Sequence, residues 1–95
     1  MRYFIHLSYD GAAYHGWQIQ PNGNSVQETL QKGLSTLLRT QIDIVGAGRT
    51  DTGVNAPFYV AHFDSEQEVE CAQLAYKLNK VLPEDIAILR IYGVE

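Results

Sequence analysis

Polar and apolar positions alternate from the second residue onward. In Arg2 to Tyr9, Tyr3, Ile5, Leu7 and Tyr9 fall on one side, and Phe4, His6 and Ser8 on the other. That period of two predicts a strand with one buried face. The segment 10–24 breaks the pattern with Gly11, Gly16, Gly23 and Pro21 and reads as a long loop. Ser25-Val26-Gln27-Glu28 then has the S-x-x-E form of a helix capping box. Val26, Leu30, Leu34, Leu37 and Leu38 follow as one apolar stripe, which predicts a helix to about Arg39. Gly33 lies inside that helix at a propensity cost of about 1 kcal/mol, and close packing of the helix on a sheet would account for it.

Gln41 to Val45 and Phe58 to Phe63 read as two further strands. Ser65-Glu66-Gln67-Glu68 repeats the capping-box pattern, and the acids from Asp64 to Glu70 suit a solvated helix start. Cys71, Leu74, Ala75, Leu78 and Leu82 form a second helical stripe, which Pro83 stops. Ile86 to Val94 is the last strand. The predicted order is β-α-β-β-α-β, which is the order of the ferredoxin-like α+β fold: a four-stranded antiparallel sheet with two helices on one face. The fold is expected to occupy residues 1–95 as a single domain, with no tail after the last strand.

Composition narrows the class. The chain has 95 residues, 45% of them hydrophobic, which is enough for one modest core and argues against disorder. No apolar run approaches the ~20 residues of a membrane span, and MRYFIHLSYD alternates too strongly for a signal peptide. The single Cys71 excludes an internal disulfide and reads as a buried thiol; no zinc-ligand spacing is present. A reducing cytoplasm is the expected compartment. The formal net charge is −4, with seven Lys and Arg scattered along the chain. A domain that bound nucleic acid unaided would be expected to carry a basic stripe.

One connection is unusually long. "GAGRTDTGVNA", Gly46 to Ala56, joins the second and third strands where a hairpin needs two to five residues. Its glycines permit close backbone approach. Arg49 and Asp51 are two residues apart, and in extended backbone their side chains leave the same face. A guanidinium beside a carboxylate keeps it ionised and oriented. Such a carboxylate can serve as nucleophile or base; equally, the pair can simply brace a long loop. The segment lacks the phosphate-binding G-x-x-x-x-G-K-[ST] pattern and leads into a strand.

This stretch resembles the signature G-x-G-R-T-D-x-G-V-H-A of the tRNA pseudouridine synthase A family. "YDGAAYHGWQIQ", Tyr9 to Gln20, is similar to the family's Y-D-G-x-x-[FY]-x-G-W-Q-x-Q, and "SVQETLQKGLSTLL" to its first helix. "VAHFD", Val60 to Asp64, and "LNKVLPEDIAI", Leu78 to Ile88, match later landmarks in order. The resemblance covers nearly the whole chain. It implies isomerisation of uridine to pseudouridine in the anticodon stem-loop of tRNA, without cofactor or metal. It implies Asp51 as the essential carboxylate, Arg49 as its holder, and a homodimeric enzyme. Asp10, Gln18, Gln20, Thr50 and Asn55 are the residues it places in RNA contact.

Two departures from the family qualify this reading. Asn55 stands where the family usually has histidine; asparagine donates and accepts hydrogen bonds but cannot become cationic. Family members are also much longer. The resemblance implies that this chain is the N-terminal, aspartate-bearing domain. A second domain would close the cleft, stack an aromatic residue on the base and supply basic surface. A sheet that normally continues into another domain is expected to leave a strand edge open to pairing.

Other residues admit plainer readings. Tyr14 and Trp17 can stack on RNA or pack at the core edge. His15 reads as a surface loop residue, and His6 and His62 as sheet-face histidines. Two rival functions share the fold: a stand-alone RNA-binding module, and an acyl-phosphate hydrolase with Arg49 as anion holder. The first lacks the aromatic RNP pattern. The second would need its arginine in the loop after the first strand.

Overall fold

The alternation of β1 (Arg2–Tyr9) places it at the centre of the sheet. Its odd-numbered side chains are buried, Phe4, His6 and Ser8 are half-buried, and Arg2 is exposed. The computed structural model describes residues 1–10, 25–46 and 56–94. Among them, α1 (Val26–Leu38), β2 (Ile44–Gly46), β3 (Ala56–Asp64), α2 (Cys71–Val81) and β4 (Ile86–Val94) follow β1 in the expected α+β order. The strands make one antiparallel sheet in the order β2-β3-β1-β4, which is the ferredoxin-like arrangement.

Both helices pack on the face that carries Tyr3, Ile5, Leu7 and Tyr9. Val26, Leu30 and Leu34 of α1 and Leu74 and Leu78 of α2 meet these residues and Ile44, Phe63, Ile88 and Ile91 in one core. The rings of Tyr3 and Phe63 stack at 5.4 Å between centroids.

Ser25 caps α1 as its sequence predicts: its backbone is extended, and its Oγ accepts from the Glu28 N–H at 3.1 Å. The helix ends at Leu38, and Arg39 forms the cap in the left-handed region with φ 56°. Gly33 proves to be a helix–helix contact, not the helix–sheet contact its position suggested. A Cβ there would lie 3.3 Å from Leu78 Cδ2 and 3.4 Å from Leu82 Cδ2.

The second capping-box pattern does not start a helix. Ser65 Oγ accepts from the Gln67 N–H at 3.1 Å, closing a local turn. The buried Tyr3 hydroxyl accepts from the Val69 N–H at 3.0 Å and holds the approach to α2. The helix begins only at Cys71, with Glu70 as a cap that makes no side-chain bond and no acid in the first turn. Asp64 ends β3 instead, paired with Arg2 at 2.9 Å. Cys71 is only partly buried; burial pushes its thiol pKa up, and the neighbouring Glu70 charge adds to the shift.

The second strand is shorter than the run 41–45 and displaced to 44–46. The reason is a competing partner: the Ile42 N–H donates to Ser35 Oγ on α1 at 3.0 Å. β2 and β4 are the two edge strands, and each is covered by a helix side chain at one residue. Asn79 on α2 takes both backbone groups of Ile88 on β4, and Gln27 and Gln31 on α1 take those of Ile44 on β2.

Candidate functional site

The register brings described residues that flank the candidate segments to one end of the sheet. Tyr9, the last residue of β1, lies opposite Ala56, the first of β3, and opposite Ile86, the first of β4. The Asp10 N–H donates to the Asp85 carbonyl at 2.8 Å, which ties the start of the first long segment to the turn before β4. Segment 11–24 leaves from this point and ends at the Ser25 cap of α1. Segment 47–55 follows Gly46, and β3 resumes at Ala56 at this end.

This register accounts for the length of the β2–β3 connection. A tight hairpin would need Gly46 opposite the start of β3. Gly46 lies instead opposite Ala61, five residues beyond Ala56. At ~3.4 Å per residue, the strand ends are about 17 Å apart along the sheet. A two-residue turn cannot span that offset. The overhang of β3 is covered on one side by β1 and extends past the end of β2.

Of the residues singled out in sequence, Asp10 is described: it is exposed, beside β4, at this end of the sheet. Arg49, Thr50, Asp51 and Asn55, and Gln18 and Gln20, lie outside the described residues, as do Tyr14, His15 and Trp17. Among the described residues, no group of three or more His, Cys, Asp or Glu side chains is placed to hold a metal ion. No helix among them is long and apolar enough to cross a membrane.

The helix-free face of the sheet carries a run of rings that the period-two pattern marked only as outward-facing. Phe4 stacks on Tyr92 at 5.8 Å and tilts against His62 at 5.6 Å. His6 meets Phe58 edge-on at 5.0 Å and Tyr92 at 5.2 Å, with Nε2 3.2 Å from the Tyr92 hydroxyl. Arg90 lies over the Tyr92 ring at 4.7 Å. His6 and His62 are sheet-face residues, as their alternation indicated. Phe58 is 58% exposed and follows Ala56 by two residues, so one end of this strip adjoins the arrival of segment 47–55. Cross-strand register brings these rings together, and no single-strand pattern encodes it.

A family model described as tRNA pseudouridine synthase matches residues 5–94. A protein of Bacteroides thetaiotaomicron named tRNA pseudouridine synthase A is 57% identical over 94 residues, which is 99% of this chain and 35% of that protein. A Bacteroides fragilis protein of the same name is 55% identical over 95 residues, 99% of this chain and 38% of the relative. A Thermoanaerobacter pseudethanolicus protein, again so named, is 44% identical over 91 residues, 96% and 37% of the two chains. The chain thus spans little more than a third of the length of these relatives.

Proposed function

Because this chain belongs to the tRNA pseudouridine synthase family, we propose that it is the aspartate-bearing N-terminal domain of an enzyme that isomerises uridine to pseudouridine in the anticodon stem-loop of tRNA. The N1–C1′ bond breaks, the base rotates, and C5 bonds to C1′; no atoms are gained or lost. Asp51 supplies the essential carboxylate, and Arg49 holds it ionised and oriented. Asp10, Gln18, Gln20, Thr50 and Asn55 contact the RNA around the extruded nucleotide. Unstacking that nucleotide costs a few kcal/mol, which these contacts offset.

The observation that carries the reading is the match across residues 5–94; the pairing of Tyr9, at the start of one signature stretch, with Ala56, at the end of the other, supports it. The remaining length of the relatives would complete the cleft and supply positive charge that a chain of net charge −4 lacks. The working enzyme is a cytoplasmic homodimer in this reading.

The test is pseudouridine formation on an unmodified tRNA transcript. This chain would be assayed alone and continued by the remaining length of its Bacteroides thetaiotaomicron relative, each with and without Asp51→Asn. Turnover only in the continued polypeptide, abolished by Asp51→Asn with tRNA affinity retained, is the expected result. Activity of the short chain alone would refute the split cleft, and an active Asp51→Asn would refute the carboxylate's role. The aromatic strip of Phe4, Phe58 and Tyr92 favours a second reading, an RNA-binding module that stacks bases on its sheet. In that case tRNA binding falls with Phe58→Ala, and no polypeptide containing the chain turns over uridine.

A further inference from the structure

The segment that carries Asp51 leaves the sheet from a weak mooring. β2 is 3 residues long and pairs with β3 only at Ile44, Val45 and Gly46. The arriving strand, β3, has 9 residues and lies inside the sheet. Three side chains of α1 offset this asymmetry. Gln31 Oε1 accepts from the Ile44 N–H at 2.9 Å, and Gln27 Nε2 donates to the Ile44 carbonyl at 2.6 Å. Ser35 Oγ accepts from the Ile42 N–H at 3.0 Å. These residues are four apart and line one face of the helix. The Ile44 side chain is itself buried in the core. Its residue is therefore held at both outward backbone groups and at its side chain, two positions before the strand ends.

The helix that makes this clamp is capped by Ser25, directly after segment 11–24. Its cap is fully buried, so the start of α1 is anchored in the core. The first two turns of α1 thus receive one candidate RNA-contacting segment and hold the strand from which the other departs.

We propose that Gln27 and Gln31 are positioning residues for the isomerisation: acting through Ile44, they set where segment 47–55 leaves the sheet and thereby where Asp51 is presented. The inference rests on the reading of Asp51 as the reactive carboxylate. The two amides have opposite roles. Gln31 is used as an acceptor, so glutamate can replace it. Gln27 is used as a donor, so glutamate there sets an anionic oxygen against a carbonyl.

The test uses the continued polypeptide described above, with single-turnover pseudouridine formation, tRNA affinity, thermal melting and amide hydrogen exchange measured on each variant. Gln31→Leu and Gln27→Glu are expected to slow the single-turnover step by about tenfold to a hundredfold, the scale of a catalytic group displaced by ~1 Å, with tRNA affinity unchanged. Gln31→Glu is expected to keep the parental rate. Exchange at residues 44–55 should accelerate in the first two variants and not in the third. A parental rate in Gln31→Leu below its melting temperature overturns the proposal, as does a Gln31→Glu variant as slow as Gln31→Leu. Asp51→Asn run in parallel separates the two readings. If it stays active, the carboxylate assignment fails, and the clamp is judged on exchange alone, where unchanged protection at residues 44–55 refutes it.

Discussion

Asn79 on α2 occupies both outward backbone groups of Ile88 on β4: its Oδ1 accepts from the Ile88 N–H at 2.8 Å, and its Nδ2 donates to the Ile88 carbonyl at 3.0 Å. The side-chain amide stands in for the next strand of the sheet. Gln27 and Gln31 do the same for Ile44 at the opposite edge. Each outer strand is therefore closed near the helix that packs beside it, a device that discourages edge-to-edge pairing.

Replacing Asn79 with alanine removes two hydrogen bonds and reopens the β4 edge. The expected cost is about 1–3 kcal/mol in urea unfolding, since each such bond contributes roughly 0.5–1.5 kcal/mol net. Sedimentation velocity should show concentration-dependent self-association absent from the parent. A variant that is less stable and yet strictly unassociated would show that the amide anchors α2 without guarding the edge.

Ser25 is fully buried and caps α1. Ser25→Ala is expected to cost about 1–2 kcal/mol, the upper part of the range for N-cap removal, because the orphaned Glu28 N–H has little access to water. Ser25→Asp tests the cap separately from its burial: it restores the acceptor, and its carboxylate must be desolvated. It should therefore be no more stable than the alanine variant.

Arg39 holds a left-handed conformation with φ 56° at the end of α1. A side chain there costs roughly 1–2 kcal/mol relative to right-handed backbone, a cost glycine escapes. Arg39→Gly is expected to raise stability by about 0.5–1 kcal/mol after allowing for the greater freedom of glycine in the unfolded chain. A lower urea midpoint would refute this.

Gly33 presents the opposite balance. Alanine gains about 1 kcal/mol of helix propensity, but its Cβ would sit 3.3 Å from Leu78 Cδ2, on a side chain with no exposed surface. The two effects nearly cancel, so Gly33→Ala should fall within about 0.5 kcal/mol of the parent. Gly33→Leu overpacks the helix–helix contact and should cost about 1–3 kcal/mol.

The Arg2–Asp64 pair links the outer ends of β1 and β3. The hydrogen bond from Arg2 holds the Asp64 carboxyl below its ordinary pKa. A depressed folded-state pKa contributes stability that is present above the unfolded value and is lost as pH falls through the folded one. Both side chains are exposed to solvent, so the effect on unfolding is small and weakens with salt. Carboxyl NMR should show Asp64 titrating at lower pH in the parent than in Arg2→Met, and the difference should shrink at high ionic strength. Equal titration midpoints would mean that the pair does not persist in solution.

Element type and order were legible in the chain because they depend on local periodicity. The alternation of Tyr3, Ile5, Leu7 and Tyr9 and the stripes of Val26, Leu30, Leu34 and Leu74, Leu78 each place one face toward a core, whatever that core turns out to be. The signature segment 46–56 was likewise readable, since it is contiguous. Choices between competing partners were not readable. Ser65 caps a turn instead of α2, because Tyr3 supplies the hydrogen bond that holds Val69, 66 positions from it in the chain. Ile42 leaves the strand because Ser35 offers its N–H an acceptor. Gly33 serves a second helix whose position is set by both helices sharing one sheet face. Gln27, Gln31 and Asn79 looked like ordinary helix-surface polar residues, and only the packing of each helix beside an outer strand gives them a backbone to bond. Periodicity says which way a side chain points; what it meets there depends on contacts distant in sequence, and those exist only once the sheet order is set.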